Sequence, residues 1–483
     1  MAIIQFALWR GTGGVRLLSR KNSGRARSRR MRTASQIIQE TILHAHHVED
    51  AAHADVGTTR SPVRAYAWVV FALTLGLLIS DYMSRQVLNA VFPLLKAAWG
   101  LSDTRLGSLS SVVAMMVGIL TFPLSVLADR WGRVRSIALM ATIWSLATLG
   151  CAVATNYDQM LVARALVGIG EAAYGSVGIA LVLSIFPAYL RSTLSGTFIA
   201  GGSFGTVLGM GLGGMVAAQF GWRWSFGAMA GFGFLLVLFY SVVVSEKRLA
   251  SGQPAGGQAV RGKLAMRVSL RTLMQGLFSC RSVKCAYVGS GFQMLVPGAL
   301  YAWLPSYLNR YYAMAPGKAA VGAAGFVLAT GVGIVVCGIV TDLASKKIPT
   351  RKWLVAVLFC LLCFASLGIA FRLPAGSLQI VLIGVGMFFS AGACGPSGAM
   401  VANLTPPNMH ASAFATLTLA MNFLGLAPAA ILTGFIADRI GLLGALQIIP
   451  FATFVSALVF LLGMRSYAVD LRRLNAQRAR AAT

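Results

Sequence analysis

The chain has 483 residues, of which 57% are hydrophobic and 11% charged, and its mean hydropathy is +0.74. Soluble domains carry about 25% charged residues, so the composition excludes an ordinary soluble enzyme, a disordered chain and a fibrous repeat. The 41 Lys and Arg against 13 Asp and Glu give a formal net charge of +28. In a soluble protein that excess would suggest nucleic acid. In a chain this apolar it poses a question of membrane topology.

Residues 1–63 are polar and contain no apolar span. Residues 1–32 hold nine basic residues and no acid, which fits either an Arg- and Ser-rich presequence or an upstream extension with Met31 as the working start. His44, His46, His47 and His53 lie in the same polar tail and read as solvated rather than metal-binding. A spanning helix needs about 20 mostly apolar residues. Such runs are predicted near 65–94, 106–128, 136–155, 160–185, 195–218 and 225–245. A second set lies near 285–308, 319–341, 353–371, 378–404, 411–436 and 442–464. Long runs with internal Gly, not ten-residue alternating strands, indicate helices rather than a barrel. The one long joint, 246–284, holds eight basic residues and one acid and divides the spans six and six. The expected organisation is a tail (1–63), a six-helix bundle (64–245), a central loop (246–284), a second bundle (285–465) and a C-terminal tail (466–483). The expected fold class is therefore an all-α integral membrane protein of twelve transmembrane helices in two bundles.

With a cytoplasmic N-terminus, 32 of the 41 bases fall in cytoplasmic segments and seven in outside joints; Arg85 and Arg164 lie within spans. This bias predicts both termini inside, in a cell (inner) membrane, and makes the net charge an orientation signal. No nucleic-acid partner, metal or cofactor is expected. The seven cysteines sit in spans or inside joints, so no disulfide framework is predicted. Cys360 and Cys363 read as small hydrophobes packed in the ninth span.

Four charges fall inside the membrane: Asp81 and Arg85 in the first span, Arg164 and Glu171 in the fourth. A charge at the bilayer centre costs roughly 2.5–3.5 kcal/mol on insertion scales, so each must face a paired or wet interior. Asp81 and Arg85 are at i, i+4, and Arg164 and Glu171 at i, i+7, which puts each pair on one helix face. Mutual pairing of two acids with two bases is the simplest arrangement. It serves either as a packing network or as the polar centre of a solute pathway. Gln293, Tyr301, Ser397, Thr418 and Asn422 are further pathway candidates, with interhelical hydrogen bonding as their alternative role.

Ser125-Val-Leu-Ala-Asp129-Arg130-Trp-Gly132-Arg133 follows the second span, and Gly338-Ile-Val-Thr-Asp342 precedes Lys346 and Lys347 after the eighth. Both place an acid at the same end of equivalent helices, an internal repeat expected of a two-bundle transporter. The first resembles the signature loop of the major facilitator superfamily, with Ser125 in place of its usual Gly. Arg164-Ala-Leu-Val-Gly168-Ile-Gly170 and the glycines from Gly201 to Gly214 resemble that superfamily's fourth- and fifth-helix motifs. Met210 stands where proton-linked drug exporters usually have Pro. Asp81-Tyr-Met-Ser84-Arg85, Gly168-Ile-Gly-Glu171-Ala-Ala-Tyr174 and Gly298-Ala-Leu-Tyr301-Ala-Trp303-Leu-Pro305 are similar to the spinster-like branch. Ser84, however, occupies the place of that branch's acid beside the Arg. The Arg-Gln-Val-Leu run is shared with related anion symporters.

The resemblance implies a secondary transporter working by alternating access on a small-molecule or lipid-like, anionic or zwitterionic solute. It implies that Arg85 and Glu171 pair near the solute cavity. Arg85 would hold the solute head group, and Asp81 or Glu171 would carry a co-transported proton. Asp129, Arg130, Gly132, Arg133 and Asp342 would gate the cytoplasmic side, with a plain orientation signal as the alternative for the bases. An organic-acid:proton symporter is the second reading, and a membrane-bound solute sensor a third. A monomer is expected. Gly395-Pro-Ser397-Gly398 resembles an intramembrane protease nucleophile motif, but no span supplies a His base. It reads instead as a Gly-Pro kink, and no enzyme is expected.

Overall fold

A computed structural model describes residues 65–482 apart from 188–189, 247–276, 279, 347, 349 and 406–409. The N-terminal tail and most of the central loop lie outside the described residues, and with them the expectations for Met31 and for His44, His46, His47 and His53. The described chain is helical. The first half comprises α1 (Ala65–Ala90), α2 (Phe92–Trp99), α3 (Asp103–Trp131), α4 (Arg133–Val153), α5 (Tyr157–Glu171), α6 (Tyr174–Ile185), α7 (Arg191–Phe220) and α8 (Trp222–Val243). The second half comprises α9 (Arg281–Tyr311), α10 (Pro316–Ser345), α11 (Arg351–Ala370), α12 (Ser377–Ser390), α13 (Cys394–Leu404), α14 (His410–Met421), a π-helical turn (Asn422–Leu426), α15 (Ala427–Ile448) and α16 (Phe451–Ala482).

Among the described residues, eleven helices are long and apolar enough to cross a membrane. The expected seventh span, α9, falls outside that set although it is 31 residues long. Its Ser, Gln, Tyr and Pro residues dilute its hydropathy, and 21 of its residues are buried. A helix surrounded by other helices needs less apolar surface than one facing lipid. Conversely, Phe122, Ile199, Val242 and Leu343 are each at least 70% exposed, the outward apolar faces a bilayer would cover. Most helices start two to four residues before their predicted apolar runs, because polar end residues continue the helix beyond the hydrocarbon.

Two spans break at equivalent places. The fourth is interrupted at Ala172 and Ala173, immediately after Glu171, and the tenth at residues 391–393. Thr121 Oγ1 donates to the freed Ala172 carbonyl at 2.7 Å, as irregular backbone at membrane depth requires. The tenth-span break lies just upstream of the expected Gly395-Pro396 kink. Pro396 sits in the first turn of α13, where its missing N–H is harmless. In the eleventh span, Pro428 cannot bond the carbonyl one turn back, and the π-helical turn at Asn422–Leu426 absorbs the mismatch.

The ends of the halves differ in how they meet. Call the end carrying Tyr66, Asp129, Ser282 and Tyr467 the terminal end, and the opposite one the distal end. One apolar cluster at the distal end draws on both halves, from Val87, Phe92 and Leu106 to Trp303, Ala430 and Leu446. At the terminal end there are two separate clusters. One contains only first-half residues around Ile137, Trp144 and Tyr174; the other contains only second-half residues around Tyr287, Trp353 and Phe460. Among the described residues, a shared apolar cluster thus joins the two halves at the distal end, and none joins them at the terminal end. Two helix pairs make the join. Gly214 of α7 lies against Ala320 of α10, and Gly107 of α3 lies on the backbone of Ala430 in α15.

Candidate functional site

The first span carries Asp81, Tyr82, Ser84 and Arg85 in its last three helical turns. The backbone of α7 presses against this stretch. A Cβ on Gly209 would sit 2.5 Å from Met83 Cα, and one on Gly205 2.7 Å from the Ile79 carbonyl oxygen. Glycine is needed at both positions because the obstacle is backbone, not a movable side chain.

Arg85 Nε donates to Glu171 Oε2 at 3.0 Å, and a terminal nitrogen of the same guanidinium lies 2.8 Å from that oxygen. Asp81 Oδ1 is 3.9 Å from Arg85. The Glu171 carboxylate is sealed, while the Arg85 side chain retains 19% exposure. Its guanidinium also lies 5.3 Å from the centre of the Tyr82 ring, within cation–π range. Glu171 Oε1 and Asp81 Oδ1 have no hydrogen-bond partner among the described residues. One guanidinium therefore faces two carboxylates, each with a free acceptor.

Arg164 behaves differently, and the expected four-charge pairing is corrected here. It is fully buried, and its guanidinium donates to the carbonyls of Ser84 (3.0 Å), Arg85 (3.2 Å) and Leu109 (3.4 Å). It forms no ion pair within 4 Å among the described residues. It bolts α5 to α1 and α3, behind Arg85, because carbonyl lone pairs satisfy its donors where no carboxylate reaches.

The other candidates separate by access. Tyr301 and Asn422 are partly exposed. Tyr301 lies on α9, which packs against α1 of the other half. Asn422 begins the π-helical turn, donates to the Thr418 carbonyl at 2.9 Å, and lies beside Gly118 of α3. Thr418 bonds back to the Phe414 carbonyl. Gln293 and Ser397 are fully buried, and their side-chain polar atoms have no partner; neither opens onto solvent in this conformation. His410 Nε2 meets the Thr405 carbonyl at 3.1 Å. Tyr82 was not singled out as a site residue from the sequence, although its place between Asp81 and Arg85 on one helix was a usable signal.

At the terminal end, Asp129 is 67% exposed and lies 3.6 Å from Arg133, whose guanidinium donates to the Ala180 carbonyl at 3.2 Å. Arg130 and Asp342 are exposed. Gly132 has φ +98° and the Glu246 carboxylate packed over it, so a side chain there would be both strained and obstructed. Cys360 and Cys363 are fully buried in α11.

The chain matches the model of the Major Facilitator Superfamily over residues 74–429. It belongs to that superfamily. This family member is a multi-pass membrane protein and a transporter rather than an enzyme. Relatives include "Protein spinster homolog 1" of Xenopus laevis, 28% identical over 239 residues. That match covers 48% of this chain and 43% of the frog protein, so it spans less than half of the relative's length. The "Gallate transporter" of Pseudomonas putida is 28% identical over 376 residues, 73% of this chain and 81% of that one. The fold is similar to the crystal structure of a bacterial homologue of the human lysosomal transporter spinster, in an inward-facing and unoccupied conformation. The TM-score is 0.73 at 17% identity, over 84% of this chain and 98% of that one.

Proposed function

We propose that this transporter carries a small organic anion, with Arg85 as the binding cation and the Asp81/Glu171 pair as the proton carrier. The observation that carries the reading is the contrast between two arginines: Arg85 is shared by two carboxylates and open on one side, whereas Arg164 is sealed. A solute carboxylate entering beside Tyr82 and Tyr301 competes with Glu171 for Arg85. A displaced buried carboxylate is stable when it takes a proton. Proton uptake and solute binding then reinforce each other, and uptake rises as the pH falls. Residues 64–245 and 285–465 rock against each other, exposing the site alternately to each side. The basic joints put the terminal end and both chain termini in the cytoplasm of a cell (inner) membrane, so this conformation is open inward. One chain supplies the whole pathway and acts as a monomer. Asp129, Arg130, Gly132, Arg133 and Asp342 close the terminal end in the opposite conformation.

Uptake into proteoliposomes tests this. Aromatic and sugar acids should be taken up, and Arg85→Ala should lower the rate at least about 100-fold, the loss of a charged contact worth ~3 kcal/mol. Glu171→Gln and Asp81→Asn should flatten the pH dependence; an unchanged profile in both would remove the proton role. The second reading, an amphiphilic lipid-like solute, draws on the spinster relative. Arg85-dependent transport of lysophospholipid, with none of organic acids, would favour it.

A further inference from the structure

The sequence Ala437-Asp438-Arg439-Ile440-Gly441 repeats the pattern of Ala128-Asp129-Arg130-Trp131-Gly132. The first copy ends α3 at the terminal end; the second lies in α15 at the distal end. Their glycines share a backbone state, φ +98° and ψ 137° at Gly132, φ +81° and ψ 159° at Gly441. The two copies therefore sit at opposite ends of one packed helix pair, α3 with α15.

We propose that the second copy is a distal latch: Asp438 caps the N-terminus of α3 and, with Arg310 gripping Asp103, holds this conformation closed at the distal end. The geometry is explicit. Asp438 Oδ1 accepts from the Asp103 N–H at 2.7 Å, and Oδ2 from the Thr104 N–H at 2.8 Å and from the Thr104 hydroxyl. These are orphan donors of the first helical turn, where a carboxylate is favoured by the helix dipole as well. Arg310, at the end of α9, makes a two-pronged pair with Asp103, its terminal nitrogens 2.8 and 2.7 Å from the two carboxylate oxygens. Lys96 of α2 holds the same carboxylate at 2.6 Å. Asp438 and Arg310 belong to the second half; Asp103, Thr104 and Lys96 belong to the first.

Close backbone approach makes the reach possible. A Cβ on Gly434 would lie 2.3 Å from the Asp103 carbonyl oxygen. Separation of the halves at this end breaks the Asp438 and Arg310 bonds together. Asp438 itself remains exposed, so water can replace its bonds as it leaves, which suits a latch that opens in every cycle. Asp103 is only 3% exposed and keeps Lys96 when Arg310 departs, so it is not left as an uncompensated buried charge.

The inference uses alternating access from the proposed function but not the nature of the solute, and its readout is distance rather than transport. Spin labels on unnatural residues at positions 105 and 440 leave the native cysteines unlabelled. The full chain in lipid nanodiscs should give a main short distance. Asp438→Asn and Arg310→Gln should each raise the population with the longer, distal-open distance relative to the short one, by roughly 2- to 150-fold, the range spanned by loss of a helix cap or a charged hydrogen bond. Arg439→Gln, which changes the neighbouring charge without touching α3, should leave the ratio unchanged. A thermal melt of each sample separates folding from gating. An Asp438→Asn protein that melts lower but keeps the wild-type distance distribution would overturn the latch. So would an equal shift in Arg439→Gln. If transport of every tested solute fails while the shift occurs, the solute reading falls and the latch stands.

Discussion

Arg85 and Arg164 carry the same charge within the membrane spans, yet packing gives them opposite tasks. Arg85 is held by charge and keeps an open side; Arg164 is held by three backbone carbonyls and keeps none. Arg164→Leu should therefore act on stability first. Each lost bond from a charged donor costs about 1.5–3 kcal/mol, so the melting temperature in detergent should fall clearly. Any residual uptake should still rise as the pH falls, because both carboxylates keep their ion pairs with Arg85; a flattened profile with wild-type stability would contradict this. The sequence marked both arginines as expensive to bury, and that was legible from hydropathy alone. Which one pairs with Glu171 was not legible. The answer depends on where a helix 86 residues away along the chain turns its face.

Among the elements, α7 is the most constrained. Its glycines let α1 approach on one side and α10 on the other, so it couples the site helix to the join between halves. Gly209→Ala should destabilise the protein by about 1–3 kcal/mol, since the added carbon meets backbone that cannot yield. Gly227→Ala in α8 meets nothing within 4 Å and should be neutral or slightly stabilising, as Ala is the better helix former. Detergent melting curves of the two variants check both. The glycine pattern announced close packing in the sequence but not the partner. The break after Glu171 was hidden for a related reason, whereas the one at residues 391–393 lies just upstream of the kink that Gly395-Pro396 announced. The first has no Pro and no Gly at Ala172 or Ala173. Its irregular backbone is sustained by Thr121 from another helix, a bond that no local propensity encodes.

For the whole molecule, the distal join and the separate apolar clusters of the terminal end define one conformation of a cycle. Asp129 is largely exposed here, and its one ion pair among the described residues is with its neighbour Arg133. If the loop gates the terminal end, its carboxylate is needed in the other conformation. Asp129→Asn should then reach the membrane in normal amount yet transport several-fold more slowly, with the terminal-open conformation enriched. Surface labelling alongside uptake measures both, and wild-type uptake would remove the gate.

By itself the sequence determined the class of protein, the helical spans, the orientation signal in the basic joints and the few charges that lipid cannot tolerate. These are sums over neighbouring residues, and hydropathy adds locally. Tertiary structure alone decided which arginine is accessible, where two spans break, and that Asp438 meets an N-terminus 335 residues away. Burial and pairing of a charge are set by the helices packed around it, and that packing brings together segments whose sequences carry no mark of each other.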